Sequence, residues 1–191
     1  MKVLVGATIA KLTFGMFENF WMPLYEDIGF YPKVFYSRYL DTFVKGLTSP
    51  RGNILLSRED FEKGSNNKYD KLDLGLHEFA HAYYFSYLHE KRNKDFYLYK
   101  IEARWIHLDM KNNILDKDFY LRDYAAANEH EFWAVSIEHY FENPFGFYKA
   151  YPRLYILISK VLQLDIRRII NENHPELARK YEAESIHNET D

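Results

Sequence analysis

His77-Glu78-Phe79-Ala80-His81 places two imidazoles four residues apart, with a carboxylate next to the first. On a helix, residues i and i+4 project from one face a turn apart, so both rings can reach a single metal ion. Glu78 then lies beside them, able to accept a proton from an attacking water. Two nitrogens alone hold zinc poorly, so a third protein ligand must come from elsewhere, with one position left open. The pattern arises by chance in roughly 3% of chains of this composition, so its surroundings must decide. Gly75 and Leu76 precede it and Ala80 lies inside it, a small and apolar setting. That setting favours a metal site over a helix with two surface histidines. One zinc ion per chain is the expected cofactor, with no organic cofactor.

The chain has no cysteine, which excludes disulfides, thiolate catalysis and every Cys-based metal site. Downstream of the motif, the candidate ligands are Asp109, Asp116, Asp118, Asp123, Glu129, His130, Glu131, Glu138 and His139. A third histidine at the metzincin spacing is absent, because position 87 is Tyr87. The most useful candidates fall on a helix expected over residues 128–142, with Asn128 as its N-cap. Glu131 and Glu138 are seven apart and share a face, with Val135 between them. If that face turns to the metal, Glu131 is the ligand and Glu138 contacts the back of a ligand histidine. Glu129 lies on a different face; it stays the second option, because Asn128-Glu129 resembles the Asn-Glu pair of thermolysin-like enzymes. An acidic residue in a first helical turn can also serve only to complement the helix dipole.

The elements that must position these groups are mostly helical. A helix is expected over residues 2–19, followed by a short aromatic element at Trp21–Phe30 that Pro32 breaks. Residues 33–46 read as helical or irregular, and Ser49–Asn53 as a turn cluster. Ile54-Leu55-Leu56 is the best short strand, and Ser57 caps a helical turn through Phe61. Gly64–Asn67 is expected to be a loop. The strongest helix spans residues 69–90, where Leu72, Leu76, Phe79, Ala80, Tyr83 and Tyr87 make one apolar stripe. Residues 95–115 are expected to turn Tyr97, Ile101, Trp105, Leu108 and Leu115 inward. Pro144 ends the ligand helix, and residues 152–163 and 166–173 are helical. From Pro175 a polar helix frays after Glu184.

The 191 residues fit one domain with at most a small appendage. Aromatics reach 18%, enough large rings to build a sizeable core. The formal charge is -3, so the basic excess of a nucleic-acid binder is missing. The basic run Lys91-Arg92-Asn93-Lys94 reads as a solvated loop. Lys11 cuts the N-terminal apolar run short, and no stretch approaches the roughly 20 residues that span a bilayer. A cytoplasmic chain is expected; export or anchoring through a missing upstream segment is the alternative.

Several stretches, taken in order, carry a family resemblance. They are Tyr31-Pro32, Asn53-Ile54-Leu55-Leu56-Ser57 with Gly64, and Leu76-His77-Glu78-Phe79-Ala80-His81. Then come Asp123-Tyr124-Ala125-Ala126, Glu131-Phe132-Trp133-Ala134-Val135 with Glu138, Phe141-Glu142-Asn143-Pro144 and Tyr151-Pro152-Arg153-Leu154-Tyr155. Together they cover most of residues 10–165. The chain resembles the Mlc titration factor A family of zinc peptidases and, more distantly, the catalytic domain of anthrax lethal factor. The resemblance implies an α+β, helix-dominated, zincin-like metallopeptidase domain with an HExxH active-site helix and a small sheet. That domain is expected over residues 1–175, with a polar tail over 176–191.

The resemblance also implies that Glu131 is the third ligand, which makes the site a gluzincin one. Tyr124, seven residues before it, would donate its hydroxyl to the oxyanion of the tetrahedral intermediate. The implied substrate is a peptide or protein, and the strand Ile54–Leu56 could pair with it in extended form. The chain departs from the family at Tyr84, where an Asp is usual, and in a reduced basic N-terminal part. A second class of function is a regulatory protein that keeps a zinc site and sequesters a partner, since the family's founding member binds a transcriptional repressor. Glu78 and Tyr124 argue for catalysis, because a pure binder needs neither. A purely structural zinc site would close with four protein ligands, often Cys.

Overall fold

The computed structural model describes residues 1–16, 25, 27–66, 73–89, 94–113 and 119–187. Outside them lie residues 17–19 of the expected first helix, residues 21–24 and 26 of the expected element Trp21–Phe30, Asn67, and 69–72 with Leu72. Also outside are Lys91-Arg92-Asn93, Leu115, and the candidates Asp116 and Asp118. The chain forms two units, Met1–Arg92 and Asn93–Asp191.

In the first unit, helix α1 (Lys2–Thr13) runs into a 3-10 turn at Phe14–Met16 and buries Leu12 and Met16. Strand β1 (Asp27–Tyr31) ends at Pro32, as the sequence implies. Residues 33–46 are not helical: β2 (Phe35–Ser37) and β3 (Thr42–Val44) form an antiparallel hairpin. The reason is cross-strand aromatic pairing, with Tyr36 opposite Phe43 and their rings edge to face at 5.4 Å. Asp41 closes the turn at φ 53, a conformation Asp tolerates, and accepts a hydrogen bond from the Tyr36 hydroxyl. Strand β4 (Gly46–Thr48) and strand β5 (Asn53–Ser57) complete a three-stranded sheet of order β1-β5-β4.

β5 is central, parallel to β1 and antiparallel to β4. Ile54–Leu56 is therefore paired on both sides and has no edge left for a substrate; among the described residues, β4 is an edge of the sheet. Ile54 and Leu56, two residues apart on one face, are fully buried. Ser57 then caps helix α2 (Arg58–Asn66), accepting from the Asp60 N–H at 3.3 Å. This helix runs well past Phe61, through the expected start of the loop at Gly64.

Helix α3 (Leu74–His89) packs on α1, α2, β4 and β5. It starts where Asp73 Oδ1 accepts the Leu76 N–H at 2.9 Å, later than the periodicity implies. Leu76, Phe79, Ala80 and Tyr83 of the expected stripe are buried and Tyr87 is half-buried, but burial is wider than one stripe and also takes in Ala82, Tyr84 and Ser86. Gly75 permits the packing of α2 below it, since a Cβ there would fall 2.3 Å from a ring carbon of Phe61.

The second unit is helical: α4 (Lys94–Asn113), a 3-10 segment at Asp123–Ala126, α5 (Glu129–Glu142), α6 (Pro144–Ala150), α7 (Pro152–Val161), α8 (Ile166–Asn173) and α9 (Pro175–His187). α5 is its core element, burying Phe132, Trp133, Val135, Ile137 and Tyr140. α4 turns a different face inward from the one expected. Phe96, Tyr99, Ala103, His107 and Met110 are buried, while Tyr97, Ile101, Trp105 and Leu108 are exposed. Phe96 and Tyr99 meet Trp133 edge to face at 5.5 and 4.8 Å, and that partner selects the face. Pro144 ends α5 but also begins α6, which the sequence reading lacks. Asn143 caps it, accepting the Gly146 N–H at 3.0 Å, and a proline suits the first turn. In α9, Ala178 is buried and Tyr181 stacks on Phe145 at 5.6 Å.

The architecture is α+β and helix-dominated with a small sheet, as expected. Among the described residues, no helix is long and apolar enough to cross a membrane.

Candidate metal centre

α3 delivers both motif histidines on one face. Their rings meet edge to face with centroids 4.7 Å apart, and the two Nε2 atoms lie 3.1 Å from each other. Two imidazole nitrogens at that separation share either a proton or a cation. Two nitrogens bound to one tetrahedral zinc at ordinary bond lengths stand about 3.3 Å apart, so the pair fits that ion. His81 is buried and His77 partly exposed, which leaves the pair reachable from one side. Phe85, one turn on, lies parallel to the His81 ring at 6.1 Å and supports its orientation. Asp73 sets the start of this helix, its carbonyl accepting the His77 N–H at 2.9 Å.

Glu78 is buried at 5% exposure. Thr48 of β4 donates to its Oε2 at 2.6 Å, and the same hydroxyl lies 3.0 Å from the Glu78 carbonyl oxygen. Gly46 leaves room for the side chain, since a Cβ there would fall 2.3 Å from Oε1. No motif marks Gly46 or Thr48, and only the sheet topology brings them to the site. Asp73 was findable as an N-cap preceding an apolar run.

In the second unit, the start of α5 separates the two glutamates that the sequence leaves in competition. Glu129 is exposed, with Lys100 3.6 Å away. Glu131 is buried, its own N–H is bound by Asn128 Oδ1 at 3.0 Å, and His130 Nδ1 lies 3.7 Å from its carboxylate. Asp109 and Asp123 are exposed, and His139 is buried against Tyr120 and Phe147. Asn128→Ala should destabilise the fold by about 1 kcal/mol through loss of the cap, measured by denaturant unfolding.

Glu138 is almost fully buried and accepts a hydrogen bond from Arg122, a partner the sequence did not signal. Tyr124 sits on the 3-10 segment that follows Arg122 and is 56% exposed. That segment is held on α5 by the Arg122–Glu138 pair and on α4 by His107, whose Nε2 lies 3.1 Å from the Ala126 carbonyl oxygen. No sequence signal marks His107, one more residue on an amphipathic helix.

A helix-dominated α+β chain with paired HExxH histidines has the form of a zincin-like metallopeptidase. The family model for the glucose-regulated metallo-peptidase M90 matches residues 1–163, and the chain belongs to that family. This bears out the resemblance to the Mlc titration factor A family. No curated protein and no solved structure matches the chain. As a metallopeptidase it acts on peptide or protein substrates.

Proposed function

We propose that this chain is a zinc peptidase of the gluzincin type, with His77, His81 and Glu131 as ligands and Glu78 as general base. The observation that carries this reading is the convergence of the two Nε2 atoms at 3.1 Å on the helix that also bears Glu78. Burial and capping of Glu131, against the outward Glu129, support Glu131 as the third ligand. Each of the three ligand residues offers one donor atom suited to zinc. When bound, the zinc supplies a Lewis acid that polarises the scissile carbonyl and acidifies water.

The protein's own groups do the rest. Glu78 accepts a proton from the attacking water and returns it to the leaving amine. The Tyr124 hydroxyl donates to the oxyanion. Glu138 backs a ligand histidine and fixes its tautomer. The edge strand β4 receives an extended substrate, the role Ile54–Leu56 cannot take. The catalytic domain is residues 1–175, and 176–191 add a polar tail.

Metal analysis of the purified protein tests the ligand set. One zinc per chain is expected, lost in His81→Ala and in Glu131→Ala. Glu138→Ala should bind zinc roughly 10–100-fold more weakly. A Glu131→Ala variant that holds zinc as tightly as the parent would return Glu129 to consideration.

A further inference from the structure

The carboxylate of Glu78 is held by a strand of the sheet, and α3 alone does not orient it. Glutamate is a long side chain with several accessible rotamers, and a base that samples them spends little time aimed at its water. Here two residues of β4 remove that freedom. Thr48 Oγ1 binds Oε2 at 2.6 Å, a short hydrogen bond to a carboxylate, in a pair that is 8% and 5% exposed. Gly46, two residues earlier and so on the same face of the strand, forms the other wall. A Cβ at that position would fall 2.3 Å from Oε1, 2.6 Å from Cδ and 2.7 Å from Cγ of Glu78. The strand itself is fixed, because Gly46 and Thr48 pair with Leu56 and Ile54, both fully buried.

We infer that Gly46 and Thr48 form a seat that orients Glu78, which makes Thr48 a positioning residue for hydrolysis. This rests on the proposed role of Glu78 as base. With Oε2 bound to Thr48, Oε1 over Gly46 is the oxygen that takes the water's proton as the C–O bond forms. The same proton passes to the amine nitrogen as the C–N bond breaks, and Glu78 returns to the carboxylate. Thr48 exchanges no proton in this sequence. Its hydroxyl keeps one oxygen occupied and the other aimed.

The test compares the zinc-loaded full chain with Thr48→Val, Thr48→Ser and Gly46→Ala, measuring kcat and KM on a peptide substrate and zinc affinity by chelator competition. Thr48→Val should lose about 10–100-fold in kcat, the scale of a misplaced catalytic group. Its KM and zinc affinity should stay within about threefold of the parent, since neither binding step uses the bond. Thr48→Ser restores the hydroxyl and should restore kcat. Gly46→Ala should lose at least as much as Thr48→Val, because its methyl displaces the carboxylate. Thr48→Ala gives the same comparison should Val disturb the strand.

A crystal structure of Thr48→Val without zinc should show the Glu78 carboxylate away from Gly46, a readout independent of turnover. Parent-like kcat in Thr48→Val, failure of Thr48→Ser to rescue, or an unmoved carboxylate would each overturn the seat. Glu78→Gln separates the two ideas. If that variant is active, the hydrolytic role of Glu78 itself is wrong. If it is inactive while Thr48→Val is fully active, only the seat is wrong.

Discussion

Glu78→Gln is expected to keep its zinc and its fold while losing at least about 10²-fold in kcat. The change is nearly isosteric, and an amide oxygen can still accept the Thr48 hydrogen bond that the carboxylate accepts at 2.6 Å. The packing around Gly46 changes little, since no heavy atom is added next to it. His77 and His81 keep their place on α3, whose start depends on Asp73 and not on Glu78. What disappears is the carboxylate that would accept the water's proton. Zinc content by atomic absorption and cleavage of a peptide library, run side by side, check both halves. Unchanged turnover would show that Glu78 is not the base. Loss of zinc together with activity would show that it supports the ligands instead.

The paired histidines of the candidate site were more legible than the scaffold, and the reason is local. HExxH is a short-range pattern on a single helix, so residue types at spacing i and i+4 already specify which side chains share a face. The capped helix of Glu131 was legible for the same reason, through Asn128 and the acidic first turn. The hairpin of residues 35–44 was not, because an aromatic-rich run of this length suits helix and strand alike until Tyr36 finds Phe43 across the turn. α4 carries two stripes rich in apolar residues on nearly opposite faces. The exposed stripe holds the larger residues, Tyr97 and Trp105, and so looked like the core. The buried stripe was decided by Trp133, which is distant in sequence. Thr48 and Gly46 failed to stand out for a related reason. A threonine and a glycine in a short strand have no meaning for Glu78 until antiparallel pairing with β5 brings their face to α3.

Tyr124→Phe separates a working peptidase from a protein that only binds. Tyr124 follows Arg122, whose guanidinium is tied to the buried Glu138, and it lies within the 3-10 segment whose Ala126 carbonyl oxygen meets His107. Ala125 and Ala126 are buried, so the backbone that carries the tyrosine is fixed by contacts the substitution does not touch. The residue is 56% exposed, and removing one hydroxyl from such a position should change stability by no more than about 0.5 kcal/mol. Zinc content should equal that of the parent, since Tyr124 is not a proposed ligand. In a peptidase, the lost donor is one aimed at charge that develops only as the carbonyl becomes tetrahedral. The expected loss in kcat is on the order of 10²–10³. KM should change little, because the ground-state carbonyl makes at most a weak version of that bond. In a protein that only sequesters a partner, no such charge develops, and partner affinity should stay at the parent value. Full peptidase activity in Tyr124→Phe would take the hydroxyl out of the mechanism, leaving oxyanion stabilisation to the metal and proton transfer to Glu78.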